Sequence, residues 1–382
     1  MSSTKTFIVV TATAFVFAIS SACNNNKPAV EKPMVETAKV STPTASQDPS
    51  PSCDKTAQNC VRFAVLGDFG DQNNDSGSPE QNVASMVLGW EPQFIITVGD
   101  NNYPCGKAST IFANSQPYCD YIYNPGAVPS PCTGTATTNQ VNAFFPAPGN
   151  HEWYSANATP YLQFFTRLPT NSSGTQPNQR YYDLTWKTRD NQSSPVHLFA
   201  IDSEDPLAYE GNCKLTRSTA TFEPDGATVG SVQYNWYKAA VSQATEPWKI
   251  AYFHHAPYAC NNDSDNSEWM QWDFESMGTN VVLTGHKHIY QRFSKKSFKD
   301  HPYITNGAGG TDLKHSCSKL GSDFGKEQYI TGKYGAILAE ATDTTITFFF
   351  YTTDGSDTAL SDWVQVTKNS SGGGQTMTCK GC

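Results

Sequence analysis

Short apolar runs recur along the middle of the chain, and most of them end on a small residue followed by a polar one. VRFAVLGD (61–68), FIITVGD (94–100), VHLFAIDS (196–203), WKIAYFHH (248–255) and NVVLTGHKH (280–288) are brief and rich in Val, Ile and Phe, which predicts strands. Stretches with helical spacing lie between some of them, notably SPEQNVASMVLGW (78–90) and GSVQYNWYKAAVSQA (230–244). Strands alternating with helices predict a layered α/β domain. Farther on, YGAILAEATDTTITFFFYTTDGS (334–356) predicts a hairpin of two long strands about a short turn.

The two ends break this pattern. Phe7 to Ile19 is an apolar run too short to span a bilayer, which predicts a secretory signal over 1–22. The small residues in SSACNNN, just before Cys23, resemble a bacterial lipoprotein cleavage site with the lipid on Cys23, and an ordinary signal peptide is the alternative. Residues 23–52 are rich in Pro, Ser and Thr and predict a disordered tether. The Gly-rich tail 369–382 is expected to lie beyond a single catalytic domain at 53–368. Pro104–Gln140 holds three Cys and five Pro with little periodicity, and predicts a long disulfide-braced loop over a site.

Charge narrows the partners. The net charge of −9 over 382 residues argues against nucleic acid, which would want a basic face, and none is expected as a partner. Of the 11 cysteines, setting Cys23 aside as an anchor leaves ten, an even set expected to pair in an oxidising compartment. CKGC (379–382) reads as a tail disulfide in preference to a metal or redox pair.

The strand ends carry the chemistry. Five apolar segments finish on metal-ligand residue types: Asp68; Asp100, with Tyr103 three residues on; Asn150 and His151 in FFPAPGNHE; His254 and His255; His286 and His288. In an α/β sheet ligands bind outside the carboxyl ends of strands, so the five ends are expected to converge. Gly67, Gly99, Gly149 and Gly285 each precede a polar residue and are expected to let the chain turn sharply there. Two Asp, an Asn, three His and a Tyr form an oxygen and nitrogen donor set with no thiolate. That excludes a closed structural zinc site and is too large for one tetrahedral ion. It suits two ions sharing a bridging carboxylate, and a phenolate favours Fe(III) in one position. A single GD or GNH is commonplace; the weight lies in five motifs that follow strands in one order.

These blocks, GDFG, GDNNY, GNHE, FHHAPY and GHKH, resemble the metallophosphoesterase superfamily and, through Tyr103, its purple acid phosphatase branch. The resemblance implies a four-layer α/β/β/α sandwich. It implies that Asp68, Tyr103 and His288 hold Fe(III), that Asn150, His254 and His286 hold divalent Fe, Zn or Mn, and that Asp100 bridges the two. It implies that His151 contacts phosphate and protonates the leaving group, with His255 a substrate-side or supporting residue. The fourth block departs from the family's His-x-Pro, so His254 and His255 could exchange roles. The implied activity is an exported acid phosphatase in which a metal-bound hydroxide attacks a small phosphate monoester. Its only membrane attachment would be a lipid on Cys23. A phosphodiesterase or nucleotidase on the same site is the alternative, and a catalytically dead surface binding lipoprotein is the alternative of another class.

Overall fold

The computed structural model describes residues 48–70, 77–136, 140–170, 179–204, 213, 225–260, 266–298, 301–314, 316–317, 321–369 and 374–382. The signal segment, Cys23 and the tether as far as residue 47 lie outside the described residues.

Two mixed seven-stranded sheets form the frame. The first contains β1 (Val61–Leu66), β2 (Phe94–Val98) and β3 (Phe144–Ala147). It is completed by β11 (Tyr334–Ala341), β12 (Thr345–Thr353), β13 (Thr358–Lys368) and β14 (Gln375–Cys379), in the order β14-β13-β12-β11-β1-β2-β3. The second contains β4 (Tyr182–Trp186), β5 (Val196–Ala200), β6 (Trp248–Tyr252), β7 (Val281–Thr284), β8 (Tyr290–Lys295), β9 (His301–Asn306) and β10 (Phe324–Ile330), in the order β10-β8-β9-β7-β6-β5-β4. One apolar cluster, with Phe63, Val65, Ile96 and Phe348 from the first sheet and Leu198, Ile250 and Leu283 from the second, joins the two.

Helices cover the outer faces. In α1 (Pro79–Gly89), Pro79 stands at the helix start and Ser78 caps it by accepting the Gln81 N–H; the helix lies against β11 and β12. Ser231 caps α5 (Val232–Gln243) in the same way through the Tyr234 N–H. A second cluster buries Trp236, Tyr237 and Val241 of α5 against Phe199, Ala251 and Val282 of the second sheet, with Phe274 from α6 (Phe274–Met277). Three short helices, α2 (Ile111–Ser115), α3 (Asn150–Trp153) and α4 (Thr159–Phe164), lie between β2 and β4. This is the four-layer α/β/β/α arrangement that the resemblance implies.

The central strands explain the site's position. β1, β2 and β3 run parallel, as do β5, β6, β7 and β9, and the two sets are almost wholly buried. Parallel strands covered on both faces need continuous apolar runs, which is the pattern of these segments. The hairpin expected over 334–356 forms as β11 and β12, paired antiparallel from Tyr334↔Thr353 to Ala341↔Ile346.

Both domain boundaries differ from the composition-based expectation. Beyond Lys368 the polar tail adds a strand, β14, paired with β13 from Val364↔Cys379 to Lys368↔Gln375. One inward residue in two is enough for an edge strand with a solvated face, and Met377 and Cys379 are buried between exposed threonines. At the other end, Asp48 and Ser52 belong to the domain and not to the tether. Trp363 Nε1 donates to Asp48 Oδ1 at 2.9 Å, and the Ser52 N–H donates to Glu340 Oε2 at 2.8 Å.

The ten cysteines form five disulfides: Cys53–Cys60, Cys105–Cys213, Cys119–Cys132, Cys260–Cys317 and Cys379–Cys382. CKGC is therefore the tail disulfide expected. Within the loop after Tyr103, Cys119–Cys132 is internal, whereas Cys105 reaches out to Cys213. No helix among the described residues is long and apolar enough to cross a membrane.

Candidate metal centre

The carboxyl ends of β1, β2 and β3 meet those of β6 and β7 where the sheets face one another. All seven expected donors come together there. Three of the residues that leave these strands, Asp68, Asp100 and His286, have left-handed backbones, with φ of 55°, 52° and 68°. The sharp turn expected of the preceding glycines is thus made largely by the donor residues themselves. Only Gly99, at φ 93°, has a glycine-like conformation; Gly67, Gly149 and Gly285 do not. What these positions need is clearance. A Cβ on Gly285 would stand 2.6 Å from the Val98 carbonyl oxygen and 2.7 Å from Asp68 Oδ2.

Backbone amides orient the carboxylates. The His286 N–H donates to Asp68 Oδ2 and the His151 N–H to Asp100 Oδ1, each at 3.0 Å. That leaves Asp68 Oδ1 and Asp100 Oδ2 facing the centre. Carbonyls orient the imidazoles: His254 Nδ1 lies 2.9 Å from the Val98 carbonyl and His288 Nδ1 lies 2.6 Å from that of Asp312. Each such ring donates its Nδ1 proton outward and turns Nε2 inward, the usual way a protein prepares a ligating histidine. The Asn150 Nδ2 donates to the Tyr154 hydroxyl at 2.7 Å, which turns the Asn150 carbonyl oxygen inward as well.

The donors separate into two groups that share one oxygen. Tyr103 Oη lies 3.1 Å from Asp68 Oδ1, 2.8 Å from Asp100 Oδ2 and 3.2 Å from His288 Nε2. Across from it, Asn150 Oδ1 lies 3.0 Å from His254 Nε2 and 3.2 Å from His286 Nδ1, and these two nitrogens are 3.1 Å apart. His254 Nε2 is 3.2 Å from Asp100 Oδ2, so that oxygen borders both groups. Asp68, Asp100 and His254 on their own already offer three mutually close ligand atoms.

The donor set fits cations and little else. Around Tyr103 three acceptor atoms converge on one phenolic proton. On the other side, two ring nitrogens and an amide oxygen face each other. Buried lone pairs in excess of protons are costly unless positive charge joins them. The titration behaviour has the same origin. Burial opposes charge on His254, but Asp100 and Asp68 outweigh it and raise the imidazole to about 9. Burial would raise the Asp100 carboxyl, yet His254 and His151 beside it hold it well below the usual range. The Tyr103 phenol is pushed far up by burial and by Asp100 and Asp68. Burial, with His255 and His254 close by, keeps His286 neutral. Cations at the centre would take the place of these protons and invert the local field.

His151 and His255 sit differently. His151 is at the rim with 23% of its side chain exposed; its Nδ1 meets the Pro104 carbonyl and its Nε2 lies 3.8 Å from Asp100 Oδ2. His255 is buried, its ring 4.7 Å from that of His286 and 5.5 Å from that of Trp269.

Two supporting residues, Glu152 of the GNHE block and Asp202, had no role assigned from the sequence. Glu152, fully buried, accepts the N–H groups of Gly149 and Asn101 at 2.7 and 2.9 Å and so ties the third block to the second. Burial, with Asp100 nearby, raises its carboxyl to about 8. Asp202, just past β5, accepts the Trp153 indole N–H at 3.1 Å and ties α3 to the second sheet. The hydrogen bonds of a Glu in the first turn of α3, or of an Asp just past a strand, exist only once the partner segments are folded against it.

Comparison with known proteins agrees with this geometry. Over 272 residues the chain is 26% identical to the Arabidopsis thaliana protein named "Probable purple acid phosphatase 20", covering 65% of this chain and 52% of that one. The chain thus spans about half the length of this curated relative. Among solved structures it resembles purple acid phosphatase PPD1 from yellow lupin (13% identity, TM-score 0.57, 82% of this chain and 55% of that one). It also resembles GAP50, described as the anchor in the inner membrane complex of Plasmodium (14%, 0.53, 80% and 87%), and PhoD (12%, 0.51, 87% and 73%). At these identities the structures speak for the fold, and together with the curated relative they support the purple acid phosphatase resemblance. The Calcineurin-like phosphoesterase model matches residues 61–290, a span that takes in all five blocks. By that match the chain belongs to the calcineurin-like phosphoesterase family.

Proposed function

We propose that the protein is an exported phosphatase that hydrolyses phosphate monoesters at a dinuclear metal centre and works best at acidic pH. The observation that carries this reading is the phenol of Tyr103, within 3.2 Å of Asp100, Asp68 and His288. Through that residue the resemblance narrows to the purple acid phosphatases. Asp68, Tyr103 and His288 would hold Fe(III), Asn150, His254 and His286 would hold divalent Fe, Zn or Mn, and Asp100 would serve both. Bound there, the pair supplies positive charge for the phosphoryl oxygens and acidifies water.

The chain's own groups do the rest. The amides of His151 and His286 and the carbonyls of Val98 and Asp312 hold the donors in place before any substrate arrives, so little reorganisation is left for the reaction. His151 is anchored through Nδ1, which points Nε2 into the rim, where the imidazolium form would hydrogen-bond phosphate and give its Nε2 proton to the departing alkoxide, leaving the neutral ring with its proton on Nδ1. His255 is buried against His286, which favours a supporting role over direct contact with substrate. The five disulfides support export, since such bonds persist in oxidising compartments. Cleavage of the signal at 1–22 and lipid on Cys23 are part of the proposal.

The test compares p-nitrophenyl phosphate with bis(p-nitrophenyl) phosphate on full-length protein supplied with iron and zinc. The monoester should be turned over with at least about tenfold higher kcat/KM, a difference of roughly 1.4 kcal/mol in the barrier. The reverse preference would make the protein a diesterase, and no turnover of either ester in metal-loaded protein would leave the binding-protein alternative.

A further inference from the structure

We infer that Ser203 is a positioning residue: its hydroxyl sets the direction in which His254 leaves β6 and holds His255 in the tautomer with its proton on Nε2. The inference rests on the reading of His254 as a metal ligand. Ser203 lies three residues past β5, the strand beside β6, and is fully buried. Three groups converge on its Oγ: the backbone N–H of His254 at 3.2 Å, the backbone N–H of His255 at 2.9 Å and the Nδ1 of His255 at 3.0 Å.

Counting protons decides which way these bonds run. A serine hydroxyl has two lone pairs and one proton. The two amides can only donate, and they fill both lone pairs. The hydroxyl proton is then left for His255 Nδ1, which must accept it. A neutral imidazole that accepts at Nδ1 carries its proton on Nε2. A separate observation agrees: Nε2 is 3.9 Å from Glu204 Oε2, beyond a hydrogen bond but close enough for the carboxylate to favour a proton on that side.

The serine is itself held. The Trp269 indole N–H donates to the Ser203 carbonyl at 3.0 Å, and the Trp269 ring lies against His255 at 5.5 Å. His255 is thus confined by Ser203, Trp269 and the His286 ring. With two successive amides pinned to one oxygen, the end of β6 has a single direction. His254 Nδ1 then meets the Val98 carbonyl and its Nε2 meets Asn150 and Asp100. One hydroxyl therefore fixes a ligating imidazole through its backbone and the imidazole behind it through its ring. Nothing in the segment AIDSE announces this, because both partners lie about fifty residues away.

Nitrogen-15 spectra of the histidine rings in full-length, Zn(II)-loaded protein test the inference, with the His255 signal identified by its loss in His255→Gln. Wild type should show Nδ1 bare and Nε2 protonated. Ser203→Ala should give a mixed tautomer at His255 and weaken Zn(II) binding about 10- to 100-fold, the usual effect of removing a partner behind a ligand. Ser203→Thr, which keeps the hydroxyl, should restore both. A wild-type His255 protonated on Nδ1 overturns the inference, and so does Ser203→Ala with unchanged tautomer and unchanged Zn(II) affinity. If Ser203→Ala does not fold, the wild-type tautomer still decides. Neither readout involves phosphate esters, so a protein inactive on monoesters would remove the functional reading and leave this inference standing.

Discussion

Gly285→Ala adds one methyl group between the two sheets at the point where both supply donors. The new Cβ would stand 2.6 Å from the Val98 carbonyl oxygen, 2.7 Å from Asp68 Oδ2 and 3.2 Å from His254 Nδ1. Ordinary contact starts near 3.4 Å, so the first two atoms must each retreat by roughly 0.7 Å. Neither can do so freely. Val98 O accepts from His254, and Asp68 Oδ2 accepts from the amide of His286, the very next residue. Gly285 itself has no left-handed φ, so the effect is steric and not conformational. Overpacking of this kind costs about 1–3 kcal/mol of stability. A displacement approaching 1 Å at a reacting centre costs about 100-fold in rate. Gly285→Ala should therefore fold with a lowered Tm, bind less metal and lose about 100-fold in kcat/KM on p-nitrophenyl phosphate. Gly89→Ala is the control: it stands at the end of α1 with nothing within 4 Å of the new methyl, and it should leave activity unchanged. Wild-type metal content and a kcat/KM within about threefold of wild type in Gly285→Ala, with each 1.4 kcal/mol counting tenfold, would refute the reasoning from clearance.

Tyr103→Phe keeps the ring and removes the oxygen nearest Asp100, Asp68 and His288; iron-loaded wild type should absorb visible light and the variant should not, and an unchanged band would show that the phenol is not a ligand. His254→Ala should lose metal, whereas His255→Ala should retain most of it, and metal analysis giving the opposite order would exchange their roles. Burial lowers the imidazole of His301, on β9, from 6.5 to about 4; the unfolded chain then binds more protons between those values, so stability should fall as pH drops from 6.5 toward 4, by about 3 kcal/mol in all. Urea unfolding of His301→Gln should show a smaller loss over that range, and a loss equal to wild type would rule His301 out as the cause. Deleting 374–382 should destabilise the domain by about 2–5 kcal/mol, because Met377 leaves the core; an unaltered Tm would show that β14 contributes nothing.

The sequence by itself determined the central strands that lead to the site, the β11–β12 hairpin, the helices α1 and α5, and the donor set. These are local properties: a parallel strand buried on both faces must be apolar throughout, as in FIITV and VVLT, and a ligand type is visible in one residue. The order of the blocks and the tyrosine of GDNNY then sufficed to name a family resemblance. The tertiary structure decided what depends on residues far apart. It divided the donors into two groups about Asp100 Oδ2, because that oxygen is defined only once both sheets are in place. It put His254 at the centre and His255 behind it, a choice that two adjacent identical residues cannot reveal. It placed the left-handed turns on Asp68, Asp100 and His286, and gave the glycines beside them the task of leaving room. It brought Ser203 to β6 and Glu152 to the second block, and it turned a polar tail into β14, because a hydrogen bond or an edge strand needs a partner that the chain supplies only after folding.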